Sequence, residues 1–166
     1  MSTTIQLART PSGDRERRLK WDLRFLRLAE TVARWSRDPS TQCGAVLVRA
    51  DHTVISLGFN GFPRGVEDDE QVYLNRPMKY ARVIHAEMAA ILQAREPLET
   101  ATMYVWPLAP CDRCAAHLIQ AGVKRIVSVY CLDDETRERW REAHETAASM
   151  YAQAGVALDL VTVSDV

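Results

Sequence analysis

The apolar positions of this chain change period several times, and each change marks an element. Trp21, Phe25, Leu28, Val32 and Trp35 recur at steps of four, three, four and three, one stripe of an amphipathic helix that begins near Asp14. Asp38-Pro39-Ser40 stops it, and a core-facing stripe explains the pattern better than a groove for a partner. Two apolar runs follow, Gly44 to Val48 and Thr53 to Phe59, joined by Arg49-Ala50-Asp51-His52, which is short enough for a hairpin loop. Residues 66 to about 80 are charged and aperiodic. A loop of that length is uncommon in a compact domain unless it is functional or carries short helices of its own. Beyond it the pattern predicts a helix from near Ile84 or His85 to about Arg95 and a strand over Thr102 to Trp106. A helix from Cys111 to about Ala121 is then stopped by Gly122, and Arg125 to Tyr130 is a strand. The last helix starts near Asp133, carries Trp140, Ala143, Ala147, Tyr151 and Ala154 on one stripe, and closes at Gly155. Val156 to Val163 makes a final strand.

This order, α-β-β-α-β-α-β-α-β, places a helix between successive late strands, which makes those strands parallel neighbours with right-handed crossovers. The expected fold class is α/β, a three-layer α/β/α sandwich on a five-stranded mixed sheet. Residues 1–13 are polar, contain Pro11 and Gly13, and read as a flexible tail. Residues 14–166 read as a single domain with no repeat, low-complexity tract or linker. A chain of 166 residues that is 47% hydrophobic can bury one sizeable core. A net charge of −1 provides no global basic footprint for a nucleic-acid duplex or an anionic membrane. Arg9, Arg15, Arg17, Arg18, Lys20, Arg24 and Arg27 make the N-terminal region locally basic, but Asp14, Glu16 and Asp22 interleave them, as on a solvated helix face. There is no apolar signal core and no stretch of bilayer length. Of four cysteines, two share one C-x-x-C word, which reads as a metal site in a reducing compartment rather than as disulfides. A soluble, cytoplasmic protein with no membrane partner is expected.

The candidate chemistry lies in two short words. His85-Ala86-Glu87 and Pro110-Cys111-Asp112-Arg113-Cys114 spell H-x-E … P-C-x-x-C, with His85 and Cys111 separated by 26 positions. That pair is the signature of zinc-dependent nucleobase deaminases. The chemistry explains the residue types. Replacing a ring amine by a carbonyl needs hydroxide at neutral pH, and zinc supplies it by lowering the pKa of bound water from 15.7 to about 7. Two thiolates and an imidazole suit this borderline-soft ion and leave one position open for water. Glu87, not itself a ligand, takes a proton from the water and delivers protons to the ring nitrogen and the leaving ammonia. C-x-x-C at the opening of a helix brings two sulfurs to one metal, where the helix N-terminus favours thiolate. A purely structural zinc site would take a fourth protein ligand, from Cys43, Cys131 or a remaining His, and neither cysteine sits in a ligand-like word.

Other words narrow the match. Ser36-Arg37-Asp38-Pro39-Ser40-Thr41-Gln42-Cys43-Gly44-Ala45, Gly58-Phe59-Asn60-Gly61-Phe62-Pro63-Arg64-Gly65, Lys79-Tyr80 and Leu118-Ile119-Gln120-Ala121-Gly122-Val123 are similar to motifs of one family. From about residue 20 to 163 the chain resembles the cytidine deaminase-like superfamily, and within it the deoxycytidylate (dCMP) deaminase family. The resemblance implies Zn2+ as cofactor, with His85, Cys111 and Cys114 as metal ligands and Glu87 as the catalytic proton shuttle. It implies deamination of dCMP to dUMP. It also implies a homo-oligomer, dimer to hexamer, in some relatives switched on by dCTP and off by dTTP. Substrate contacts are expected from Asn60, on sugar or phosphate, and from Arg37 and Arg64, on a 5′-phosphate. A turn residue would also explain Asn60, though the resemblance favours ligand contact there, and both arginines are equally suited to solvated surface. Ala86 and Pro110, inside the ligand words, and Tyr130 complete the candidate substrate-binding set, Tyr130 being as well suited to the core. The chain departs from the family at Ala89, where H-A-E-x-N-A has asparagine, and at Cys43, where valine is usual. Ala89 motivates the alternative substrates: a modified cytosine nucleotide, a nucleoside, or a free purine or pterin-like base. A tRNA or single-stranded DNA deaminase would need a basic groove with stacking aromatics, against which the balanced charge argues. A non-enzymatic metal-bound scaffold would lack the proton shuttle, and Glu87 is present.

Overall fold

A computed structural model of the chain describes residues 12–130 and 133–162. Among these the order is α1 (Ser12–Ala33), β1 (Gly44–Val48), β2 (Val54–Phe59), α2 (Glu70–Leu74), α3 (Arg76–Arg82), α4 (Ala86–Gln93), β3 (Thr102–Trp106), α5 (Asp112–Gln120), β4 (Arg125–Tyr130), α6 (Asp134–Ala154) and β5 (Ala157–Thr162). Of the expected tail, residues 1–11 lie outside the described residues, while Ser12 and Gly13 begin α1. Cys131 and Val163 also lie outside them.

The five strands form one mixed sheet in the order β2-β1-β3-β4-β5. β1 runs antiparallel to both β2 and β3, whereas β3, β4 and β5 are parallel, as helices between late strands require. Both faces of the sheet are covered, so the central strands are buried along nearly their whole length instead of alternating. On one face Val46, Val48, Tyr104, Val127 and Val129 pack on Phe25, Leu26 and Ala29 of α1. On the other, Ala45, Leu47, Met103 and Ile126 pack under Ala86 and Ala90 of α4, Leu118 of α5 and Tyr151 of α6.

The helix stripe expected from Trp21 to Trp35 is rotated in the structure. α1 ends at Ala33, so Trp35 falls beyond it and stands 52% exposed, edge-on to Phe59. The buried face runs instead through Asp22, Phe25, Leu26, Ala29, Val32 and Ala33. Asp22 tolerates burial because Arg125 of β4 pairs with it at 2.6 Å and Tyr104 donates to it at 2.8 Å. The charged 66–80 segment carries α2 and α3, started by the side chains of Asp69 and Asn75, which accept from the Gln71 and Met78 backbone N–H groups.

One glycine decides where the site sits. Gly58 of β2 presses against α4 so closely that a Cβ there would lie 2.2 Å from the Ala86 carbonyl oxygen and 2.4 Å from the Ala90 nitrogen. Both are backbone atoms of the helix that His85 opens, so a side chain at 58 must push α4 away from the sheet. Gly58→Ala is expected to destabilise the fold by about 3 kcal/mol, the upper end for overpacking. The urea midpoint measures it. An unshifted midpoint would mean that α4 moves without cost.

Candidate active site

Each half of the site begins at the start of a helix. His85 is the N-cap of α4, and Cys111 is the N-cap of α5, with Cys114 in its first turn. Gly61 and Ile84 exchange two backbone hydrogen bonds (3.1 and 2.8 Å), which clasp the chain to the end of β2 one residue before His85. The loop after β3 delivers Cys111, and the His144 ring of α6 donates to the Ala109 carbonyl of that loop at 3.0 Å. Burial holds His144 below its ordinary pKa, as a neutral donor.

His85 Nδ1 lies 3.5 Å from Cys111 Sγ and 3.4 Å from Cys114 Sγ. The three ligand atoms are within 4.8 Å of one another, and among the described residues no fourth His, Cys or carboxylate joins them. Tetrahedral zinc with ordinary Zn–S and Zn–N bonds needs S···N edges of about 3.6 Å, so this donor set fits such an ion. Cys43, a candidate fourth ligand, lines the nearby cavity outside the cluster. Three protein ligands, two of them lining a cavity, are the arrangement of a catalytic metal site, whereas structural sites close with four.

The local electrostatics prepare one of the three ligands, Cys111, as a thiolate. The Cys111 thiol is pulled down to about 4, first by its hydrogen bond with Cys114 and then, against burial, by His85 and the Cys114 backbone N–H. The Cys114 thiol is pushed up by that same bond and by burial. His85 is raised, chiefly by its bond to Cys111. Glu87, only 5% exposed, lies beside the cluster but outside the ligand set; burial is the largest cause of its raised pKa.

These residues form the floor of a cavity of about 230 Å³. His85, Ala86, Glu87, Val105 and Cys111 lie at the bottom, and Cys114 stands behind them, off the cavity surface. One wall joins three words that are far apart in the chain. Lys79 Nζ meets the buried Asp38 carboxylate at 2.7 Å, and that carboxylate also accepts from the Ser40 backbone N–H at 2.8 Å. Asn60 donates to Asp38 at 3.2 Å and to the Thr41 carbonyl at 2.9 Å, and its oxygen accepts from the Cys43 N–H at 2.7 Å. Asn60 therefore lines the cavity with both amide hydrogens bonded to protein.

Of the other expected substrate contacts, Ala86 lines the cavity and the rest are placed elsewhere. Arg37, Arg64, Pro110 and Tyr130 do not line the cavity. Arg37 is exposed and pairs with Asp68 at 3.5 Å, Arg64 is exposed, Pro110 is buried, and Tyr130 carries the Arg137 guanidinium over its ring. Ala89 is also absent from the lining; its backbone lies against Gly58. Conversely, Arg76 and Tyr80 of α3 and Arg139 and Trp140 of α6 line the cavity, and sequence reasoning missed them as site residues. Arg76 falls in the aperiodic charged segment, and Trp140 is on a stripe that reads as core, so neither carried a usable signal. The basic residues of α1 lie away from the cavity. Several are engaged locally, Arg17 with Asp14, Arg18 with Asp159, and Arg24 over the Trp21 ring. No helix among the described residues is long and apolar enough to cross a membrane.

The family model of the cytidine and deoxycytidylate deaminase zinc-binding region matches residues 19–130. An uncharacterised deaminase from the luxG 3′ region of Aliivibrio fischeri is 42% identical over 139 residues, covering 82% of this chain and 90% of that protein. Mouse deoxycytidylate deaminase is 33% identical over 146 residues, covering 83% and 78%. The apo crystal structure of dCMP deaminase from cyanophage S-TIM5 superposes with a TM-score of 0.66 at 20% identity, covering 86% of this chain and 98% of that one, which is a likeness of fold.

Proposed function

The chain belongs to the cytidine and deoxycytidylate deaminase family, and on that premise we propose that it converts dCMP and water to dUMP and ammonia with zinc as cofactor. Membership makes it a hydrolytic deaminase; the proposal concerns the metal, the residue roles and the substrate. One observation carries it: three metal-compatible ligand atoms converge within 4.8 Å at the floor of a cavity that also contains the buried Glu87.

His85, Cys111 and Cys114 hold the metal. Zinc in that position supplies a Lewis acid and a source of hydroxide at neutral pH. Glu87 moves the protons: it takes one from the attacking water and passes it to the cytosine ring nitrogen, then takes the proton of the new hydroxyl and passes it to the departing amine. A new C–O bond forms at the ring carbon as the C–N bond to the amine breaks. Burial, which raises the proton affinity of Glu87, suits a carboxylate that must hold a proton between two transfers. Val105 and Ala86 keep the floor apolar around the ring. The choice of dCMP is supported by the deoxycytidylate deaminases among the relatives. The reason for doubting it was Ala89, which does not line the cavity.

Ammonia release across dCMP, CMP, deoxycytidine, cytosine and guanine tests the substrate. The highest kcat/KM is expected on dCMP. A rate on dCMP no better than that on cytosine or guanine would overturn the assignment.

A further inference from the structure

The cavity is graded from floor to opening. Its buried end holds His85, Glu87 and Cys111; its exposed end holds Arg76 of α3 and Arg139 of α6. Among the described residues, Arg76, Lys79 and Arg139 are the only lysines and arginines that line it. Lys79 is held by Asp38 at 2.7 Å, which neutralises both. Among the described residues neither Arg76 nor Arg139 has a carboxylate within ion-pair distance. The opening therefore carries two guanidinium groups, delivered from separate helices and free of direct ion pairs among the described residues, although the Arg139 charge is felt at Asp133, whose pKa it helps to lower. Beside Arg139 the indole N–H of Trp140, also lining the cavity, is buried without an acceptor among the described residues.

We propose that Arg76 and Arg139 recognise the 5′-phosphate of the nucleotide, in place of Arg37 and Arg64, and set the preference for nucleotide over nucleoside. This rests on the deaminase reading of the floor. A pyrimidine ring at Glu87 directs its sugar and phosphate towards the exposed end, where the two arginines stand. Guanidinium groups match phosphate oxygens by paired, charge-assisted hydrogen bonds, which ammonium groups do less well. Arg139 and Trp140 lie on α6, beyond residue 130, where the match to the zinc-binding-region model ends, so this part of the cavity stands outside that model. It is a wall the shared ligand words do not specify.

The test compares dCMP with deoxycytidine, which lacks only the phosphate. Affinities are measured by calorimetry on zinc-loaded Glu87→Gln protein, which binds without turnover, and on the same protein carrying Arg76→Gln or Arg139→Gln. Each arginine variant is expected to weaken dCMP binding about tenfold or more, the loss of a hydrogen bond to a charged group, and to leave deoxycytidine binding unchanged. A dCMP preference insensitive to both variants overturns the clamp alone, as does an equal loss for both ligands, which marks a structural role. So does a loss of preference confined to Arg37→Gln or Arg64→Gln. A parent protein that neither binds nor deaminates dCMP better than deoxycytidine overturns the nucleotide reading and the clamp with it.

Discussion

Glu87→Ala protein is expected to retain stoichiometric zinc and to lose deamination by about 10²- to 10⁴-fold, the range for removing a general acid–base group. The separation of the two effects follows from geometry. Glu87 lies beside the His85, Cys111 and Cys114 cluster and is not one of its ligand atoms. The residue is 5% exposed and lines the cavity floor, and its carboxyl is raised in pKa first by burial. Alanine removes a group that burial penalises when charged, so the fold has little to lose. The metal keeps three ligands, while the proton has no carrier between the attacking water and the leaving amine. Metal analysis beside an ammonia assay reads both quantities on one sample. A Glu87→Ala variant with parental turnover would refute the proton-shuttle role.

Cys111→Ala is expected to lose zinc and turnover together. Cys111 is at the N-cap of α5, where the dipole favours negative charge, and its hydrogen bonds pull its thiol down to about 4. It is thus the ligand best prepared to meet a cation as thiolate. Its loss leaves one imidazole and the buried Cys114 thiol, two ligands where the ion had three. Altering a residue that merely orients a ligand costs about 10- to 100-fold in metal affinity, so deleting a ligand costs at least about 100-fold. Dialysis against a competing chelator should strip zinc from Cys111→Ala under conditions in which Glu87→Ala keeps it. Retention of zinc and activity by the Cys111 variant would place the metal elsewhere.

The strands and the longer helices were legible because each is a continuous local pattern. β3 and β4 fall at the residues their apolar runs predict, and α4 and α5 begin at the two ligand words. The failures share a cause. The α1 stripe was read from apolar residues alone, yet its buried face includes Asp22, made tolerable by Arg125, which is 103 positions away. Trp35 looked like core until the helix ended two residues before it. α2 and α3 are too short to show a period, and only their capping Asp69 and Asn75 betray them. Gly58 read only as part of a word similar to a family motif, whereas its missing side chain is what lets α4 lie against the sheet.

His85, Glu87, Cys111 and Cys114 could be singled out from the chain alone, because metal ligation and proton transfer demand particular side chains at short spacings beside helix starts. Those demands are met within a few residues and leave a local mark. Which cations face the cavity is a different kind of fact. Arg37 and Arg64 lie in recognisable words but do not line it, while Arg76 and Arg139 lie in unmarked positions and do. Lys79 has the right charge but is neutralised by Asp38, 41 positions distant. An arginine's role depends on which acid, if any, the fold brings beside it, and that is decided by the packing of α3 and α6 around the cavity, not by neighbours in sequence.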